Sequence, residues 1–283
     1  MSWWRRLFGV SDAEPEPPAD PPPPPDSPAP PDTPPVVEPT HEPEAPTIPA
    51  LVSALPDWLL PHRRPTWRPR VDDGEGAPDG SRFGGRAWLP AGTDWPTCPS
   101  CGHSLRLLAQ LDASTLPTDA PGHGEGLIQV FYCLTEEPAI CEVALSGWEA
   151  FSGASLVRRV PRGDGALGQP TGFDPLPAQA IVGWTEHDDA PNVEEGALEL
   201  SEEAEEEYQE GEFPRAGDKL GGWPFWVQGI EYPTCRQCGT TMHLLLQLDS
   251  EDHVPTMWGD SGCAHITQCA SHPDELALAW ACY

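Results

Sequence analysis

The sequence predicts an α+β fold that is predominantly β: a tandem duplication of a β-rich half-unit, the two copies fused into one domain. Residues 83–112 align without a gap to residues 220–249, at a constant offset of 137. They share a Gly-Gly pair, a Pro-Thr-Cys-x-x-Cys-Gly segment and a closing Gln-Leu-Asp. Self-similarity of this kind marks repeated supersecondary units. With one residue removed, Gly126–Cys133 then stands opposite Gly262–Cys269. Apolar runs of strand length follow each cysteine turn, at Leu105–Leu111 and Leu244–Leu248, and further runs occupy Leu127–Tyr132, Ser155–Val160 and Ala180–Trp184. Pro and Gly interrupt nearly every window long enough for a helix. A segment of roughly 60 to 100 residues buries little core alone, which favours fusion over two independent domains.

In chain order, residues 1–10 set Trp3, Trp4, Leu7 and Phe8 around Arg5 and Arg6. This is a short amphipathic segment without the apolar stretch of a secretory signal; its functional reading is weak contact with a membrane surface or a partner groove. Residues 11–50 hold 17 prolines, nine carboxylates and no Lys or Arg. Such a composition cannot offset its ordering entropy, so it predicts a disordered, acidic, Pro-rich linker. Residues 51–283 form the domain, with repeat one at about 80–185, an acidic segment at 186–212 and repeat two at about 213–283. The acidic segment contains 13 carboxylates and no Lys or Arg. Leu200, Ala204 and Tyr208 fall at i, i+4 and i+8 and predict a helix over Leu198–Glu210, opposed by its like charges.

The chain carries 45 acidic side chains against 15 basic ones, a formal charge of −30. Outside the first ten residues, the linker and the acidic segment the balance is still about −10. Such a surface repels phosphate backbones, so nucleic acid is excluded as a partner. The one basic cluster, Arg63, Arg64, Arg68 and Arg70 beside Trp58 and Trp67, is expected instead to dock on the acidic segment of the same chain. No apolar run approaches the ~20 residues needed to cross a bilayer, so the expectation is a cytoplasmic protein with no stable membrane insertion.

Nine cysteines carry the most specific chemistry. Each repeat supplies a Cys-x-x-Cys-Gly turn (Cys98 and Cys101; Cys235 and Cys238), a cysteine ending a strand (Cys133; Cys269) and one further on (Cys141; Cys282). Two sulfurs in a tight turn grip a tetrahedral ion from one side, and two later cysteines close the shell. Gly102 and Gly239 allow the turn through positive φ and bring amide N–H groups near the sulfurs. Four thiolates leave no open position for substrate, so the pattern predicts two structural zinc ions per chain. A reducing cytoplasm disfavours disulfides, and neither disulfides nor a redox pair needs four cysteines per half. In the second set His272, three residues after Cys269, is an alternative to Cys282. Cys263 is left over as a small buried apolar residue.

Catalytic signatures are lacking: there is no Gly-x-Ser-x-Gly, no Walker-type loop and no His-Glu-x-x-His. His62, His103, His123 and His243 have no carboxylate at helical spacing. Asp112 and Asp249, like Gln110 and Gln247, occupy equivalent repeat positions and read as polar pairs ending a strand. An enzyme, either a hydrolase or a small-ligand binder using Asp112, Asp249 or His243 in the cleft between the repeats, is the alternative function. Trp88, Trp95, Trp223, Phe225, Trp226 and Tyr232 crowd the space between each Gly-Gly and its cysteine turn. Core packing accounts for most of them, and an exposed minority would suit a protein-binding face.

Arg82-Phe83-Gly84-Gly85, Trp95-Pro96 and Leu107–Leu111, followed by Lys219-Leu220-Gly221-Gly222-Trp223-Pro224, Leu245–Ser250 and Trp258-Gly259-Asp260, resemble the YwqG-like family. These are bacterial proteins built on a domain of unknown function and related to the programmed cell death protein 2 group. The resemblance covers about 80–283. It implies a duplicated β-rich fold with no established catalytic residues, and Cys98, Cys101, Cys133 and Cys141 match the metal ligands of its cysteine-bearing branch. Many bacterial members lack these cysteines, so the resemblance also implies that zinc is not essential to the fold as a whole. Eukaryotic relatives are chaperones of a ribosomal protein and bacterial ones are suspected toxin-immunity proteins, both roles that sequester another protein. The expectation is therefore a non-catalytic, zinc-stabilised protein-binding module. A basic client is the electrostatic match for its acidic surface.

Overall fold

Twelve strands make up most of the regular secondary structure among the described residues: β1 Arg64–Asp73, β2 Arg82–Phe83, β3 Trp88–Pro90, β4 Arg106–Asp112, β5 Leu127–Tyr132, β6 Ser155–Val160, β7 Gly165–Leu167, β8 Gln179–Asp189, β9 Lys219–Gly221, β10 His243–Asp249, β11 Cys263–Gln268 and β12 Leu276–Ala281. The computed structural model describes residues 55–122, 124–135 and 140–283. The amphipathic start, the Pro-rich stretch and His123 lie outside the described residues. The chain divides into two units, Met1–Pro49 and Ala50–Tyr283, and every described residue belongs to the second.

Ten strands form one antiparallel sheet in the order β12-β11-β10-β9-β1-β8-β2-β4-β5-β6, and β3 and β7 form a separate pair. The end strands β12 and β6 approach each other, so the sheet is nearly closed. The fold is thus predominantly β, and its α-helices among the described residues are the short α1 (Glu142–Leu145) and α2 (Glu202–Glu210). The order is symmetric about the long central pair: β8-β2-β4-β5-β6 forms one set and β1-β9-β10-β11-β12 the other.

Continuous apolar runs make strands buried on both faces. Every residue of β5 and β11 is buried, as are Leu107–Asp112 of β4 and Leu244–Leu248 of β10. Both β4 and β10 carry a bulge at the same place, between Leu107 and Ala109 and between Leu244 and Leu246. Each bulge turns one additional leucine, Leu108 or Leu245, fully into the core. One hydrophobic cluster takes Leu111, Ile128 and Phe131 from one set and Leu246, Ile266 and Leu278 from the other.

The buried polar groups repeat as well. Gln110 Oε1 accepts from Trp88 N at 2.9 Å, and Gln247 Oε1 accepts from Phe225 N at 2.8 Å. Their amides donate to Gly80 O and Gly217 O, each at 2.9 Å. Arg82 and Lys219, both fully buried, donate to Arg86 O and Trp223 O. Each of these partner pairs is 137 residues apart. A buried amide or cation without such partners would cost several kcal/mol, so the side chains fix the backbone around them.

The acidic segment folds around α2. Its N-cap is Ser201, whose hydroxyl accepts from Ala204 N at 3.2 Å, and Glu202, Glu203 and Glu205 occupy the first turn, where the helix dipole favours them. The helix therefore begins four residues later than the predicted Leu198, because the cap stops it at Ser201. Tyr208 anchors it, packing with Leu55, Leu59 and Phe213 and donating to Pro191 O at 2.9 Å. The basic cluster lies on β1. Arg63 reaches Asp188 at 2.5 Å and Glu186 at 3.5 Å, Arg68 donates to Ala216 O at 2.8 Å, and Arg64 stacks 3.2 Å above the Trp223 ring.

Candidate metal centres

Each cysteine turn is a short hairpin closed by one isolated bridge, Thr97 to Ser104 and Thr234 to Thr241. Cys98 N donates to His103 O at 2.8 Å and Gly102 N to Cys98 O at 2.9 Å; Cys235 N donates to Thr240 O and Gly239 N to Cys235 O, both at 2.8 Å. Gly102 and Gly239 have φ of +73° and +69°, the left-handed conformation that an L side chain resists.

In the first centre the sulfurs of Cys98, Cys101, Cys133 and Cys141 all lie within 4.8 Å of one another. Cys98 and Cys141 are 3.8 Å apart, as are Cys101 and Cys133. Cys133 follows β5 directly, and Cys141 is the N-cap residue of α1. The second centre is made of Cys235, Cys238, Cys269 and His272, again within 4.8 Å. Cys238 and Cys269 are 3.7 Å apart, and His272 Nδ1 is 3.7 Å from both Cys235 and Cys269. Cys269 follows β11 directly, and the tight turn after it, closed by Glu275 N donating to His272 O at 2.9 Å, brings the imidazole back.

Cys282 does not join this centre, which corrects the expectation drawn from cysteine spacing. β12 runs antiparallel to β11 with Cys263 opposite Ala281 and Gln268 opposite Leu276. Cys282 thus ends up level with Gly262, seven residues or about 23 Å of strand away from Cys269. Cys263 is fully buried at the start of β11, its thiol 3.5 Å from Leu248 O.

The donor geometry fits a tetrahedral ion. A metal bound to sulfur at about 2.3 Å has sulfur ligands about 3.8 Å apart along a tetrahedral edge, close to the Cys98–Cys141, Cys101–Cys133 and Cys238–Cys269 separations. All nine cysteines are free of disulfides. Thiolate and imidazole together suit a soft or borderline cation, and four protein ligands leave it no open position. Thr135 Oγ1 lies 3.6 Å from Cys101 and 3.5 Å from Cys133, and Thr240 Oγ1 lies 3.0 Å from Cys238 and 3.7 Å from Cys269. These hydroxyls support the sulfurs at matching places, and spacing alone did not disclose them.

The protons are shared unequally. Burial pushes the Cys101 thiol up, but bonds from the His103 backbone, the His103 ring and Thr135 outweigh it and hold it at about 6. Burial likewise opposes ionisation of Cys269, and His272 with the backbone N–H groups of Ser271 and His272 brings it to about 6. Cys133 is pushed up to about 12, and Cys98 is also raised, both mainly by burial. Cys238 is lowered as well, mainly by the Thr240 hydroxyl and backbone N–H, and a dication bound in either cluster would displace the thiol protons that remain.

The other sequence candidates separate. Asp112 Oδ1 accepts from Ser114 N at 3.0 Å and its other oxygen pairs with Arg162. Asp249 accepts from Ser250 N at 2.9 Å and Gly217 N at 2.8 Å. His243 lines a cavity of about 350 Å³ with Arg64, Asp119 and Gly222, and burial lowers its pKa. Asp112 faces a different cavity, with Asp79 and Trp184. Two buried polar groups were not anticipated. Asp189 accepts from Lys219 Nζ at 2.8 Å, both side chains being fully buried. Asp218 accepts from Asp249 N at 2.7 Å and pairs with His253 Nδ1 at 3.0 Å, while His253 stacks on Phe83.

A nearly closed antiparallel sheet with two four-ligand clusters defines a class of β protein that could hold metal ions at both cysteine turns and has no disulfides. Residues 81–269 match the family described as Domain of unknown function (DUF1963), and the chain belongs to that family. It is also similar to the uncharacterized protein YpfL of Salmonella typhimurium strain LT2, with 51% identity over 39 residues. That stretch is 14% of this chain and 9% of YpfL, so the chain spans less than a tenth of that relative. No helix among the described residues is long and apolar enough to cross a membrane.

Proposed function

We propose that the protein is a non-catalytic binding module, stapled by two structural zinc ions, which sequesters another protein, with a basic client the electrostatic match. The observation that carries this reading is the closure of both clusters. Each centre spends all four tetrahedral positions on protein side chains, which supplies cross-links and no site for substrate. Bound there, zinc would tie the cysteine turn of each set to the strand end opposite it. The repeated bulges, glutamines and buried cations support descent of the two strand sets from one duplicated unit. A relationship to the YwqG-like proteins belongs to the same proposal, and the family assignment is compatible with it. Of the residues of the enzymatic alternative, Asp112 and His243 line separate cavities, and Asp112 and Asp249 are engaged by Arg162 and by backbone N–H groups. Net charge of −30 steers a basic protein toward this chain and repels acidic competitors.

The test is affinity purification of the full chain from its native cell at low and high salt. A discrete basic protein retained at low salt and partly released at high salt is the expected result. Recovery of no partner, or of acidic partners indifferent to salt, would refute the reading.

A further inference from the structure

Two adjoining cavities, of about 290 and 370 Å³, share Trp280 of β12 as a wall. Trp148 and Glu231 help to enclose the first, and Ile140, Met257 and Trp258 the second. The dividing wall is fixed: Trp280 Nε1 donates to the Tyr132 hydroxyl at 2.9 Å, and Trp280 N donates to Trp148 O at 3.1 Å. The rims are not packed away. Trp148 is 46% exposed, Ile140 56% and Met257 50%. Large apolar side chains grouped on the rims of neighbouring cavities form a patch of the kind that partners cover, unlike single exposed leucines. Among the described residues, Glu231 is the one carboxylate on these walls, and no lysine or arginine lines either cavity. The segment that carries Ile140 and Trp148 adds Glu142 and Glu149, both exposed.

We infer that this double groove is the docking site for the client: a segment of another protein that places one aliphatic or aromatic side chain in each cavity and flanks them with arginine or lysine. The inference rests on the protein-binding reading above and narrows it to one surface and one ligand chemistry. Apolar anchors would supply most of the affinity, because buried aromatic contacts dominate interface energies. The acidic approach would supply selectivity, since an acidic segment would meet Glu231, Glu142 and Glu149 with like charge. Exposed carboxylates are screened by salt whereas apolar anchoring is not, so raising the ionic strength should weaken binding without abolishing it.

The probe is a fluorescein-labelled peptide with two leucines four positions apart among arginines. One twin has alanine for leucine and another has glutamate for arginine. Anisotropy titrations use the full chain and the double variant Trp148→Ala with Met257→Ala. Both positions are rim residues, and an unchanged metal content and thermal midpoint would show that the variant folds. The wild type should bind the first peptide at least tenfold more tightly than either twin, and the double variant should lose at least tenfold. Equal binding of the alanine twin, or equal binding by the double variant, would show charge acting elsewhere on the surface and would overturn the groove. Light scattering supplies a further arm: a dimer that Trp148→Ala dissociates would mean a second copy of the chain covers the groove, and the inference falls. The native-cell purification separates the two readings. A client still retained by the double variant sinks the groove and leaves the binding module standing, whereas a wild type that retains nothing sinks the module.

Discussion

Replacing His272 with alanine should remove one metal ion and leave the other, whereas Cys282→Ser should remove none. The structure sets the magnitudes. Sulfur separations of 3.7 and 3.8 Å correspond to metal–sulfur bonds of about 2.3 Å, and an imidazole ligand would lie at about 2.0–2.1 Å. With zinc in both centres, the average ion would have about 3.5 sulfur and about 0.5 nitrogen neighbours. In the His272→Ala protein that average should move to four sulfurs and no nitrogen. In a Cys98→Ser, Cys101→Ser protein it should move to three sulfurs and one nitrogen. Metal analysis gives the count, and zinc K-edge absorption gives the neighbours. Emptying the first centre also removes ligand-linked stability, about 4 kcal/mol when free zinc is about a thousandfold above its dissociation constant. For a domain of this size that lowers the melting temperature by roughly 8 to 16 °C. Two ions retained by His272→Ala, an ion lost from Cys282→Ser, or a wild-type spectrum without nitrogen would refute the assignment.

Asp189→Ala should cost about 3–5 kcal/mol by urea denaturation, because it strands the fully buried Lys219 cation as well as the N–H groups of Arg215 and Trp223. A loss below about 1 kcal/mol would contradict that picture. The hydrogen bond to Asp218 raises the pKa of His253, with support from the charges of Asp218 and Asp252 and opposition from burial and Arg68. Asp218 is itself pushed up by burial, so its charge depends on that partner. Because the folded value of His253 is raised, its contribution is fully present below about pH 6.5 and is lost as the pH rises through the raised value. His253→Gln should flatten stability against pH across that window; parallel curves for wild type and variant would exclude the linkage. Gly239→Ala should cost about 1 kcal/mol from conformation alone, since φ is +69° and nothing lies within 4 Å of the added methyl. A calorimetric midpoint equal to wild type would show that the turn tolerates it.

The strands most legible in the sequence are those rich in apolar residues over strand length, β4, β5, β6, β8 and β10. β1 escaped notice because Arg64, Arg68, Arg70, Pro65 and Pro69 dominate it. Its arginines face outward toward acids, carbonyls and Trp223, and only Thr66 and Trp67 are buried. The cysteine turns were legible because chemistry demands both thiols and the following glycine at fixed spacing. The fourth ligand of the second centre was not, because the register of β12 on β11 decides which end of the strand pair Cys282 occupies. The buried Asp189 and Lys219 pair was equally hidden: one member looked like part of an acidic run, and the partners are 30 residues apart.

The placement of β1 constrains how the polypeptide is made. Arg64 pairs with Asp189 and Thr66 with Gly221, so a strand synthesised early waits for neighbours 125 and 155 residues downstream. A nascent chain released before Gly221 leaves that edge uncovered, an invitation to wrong pairings. A gene cut within the acidic segment would encode two fragments, each missing a strand that the other retains. Coexpressed, such fragments should reassemble, whereas either one alone should aggregate.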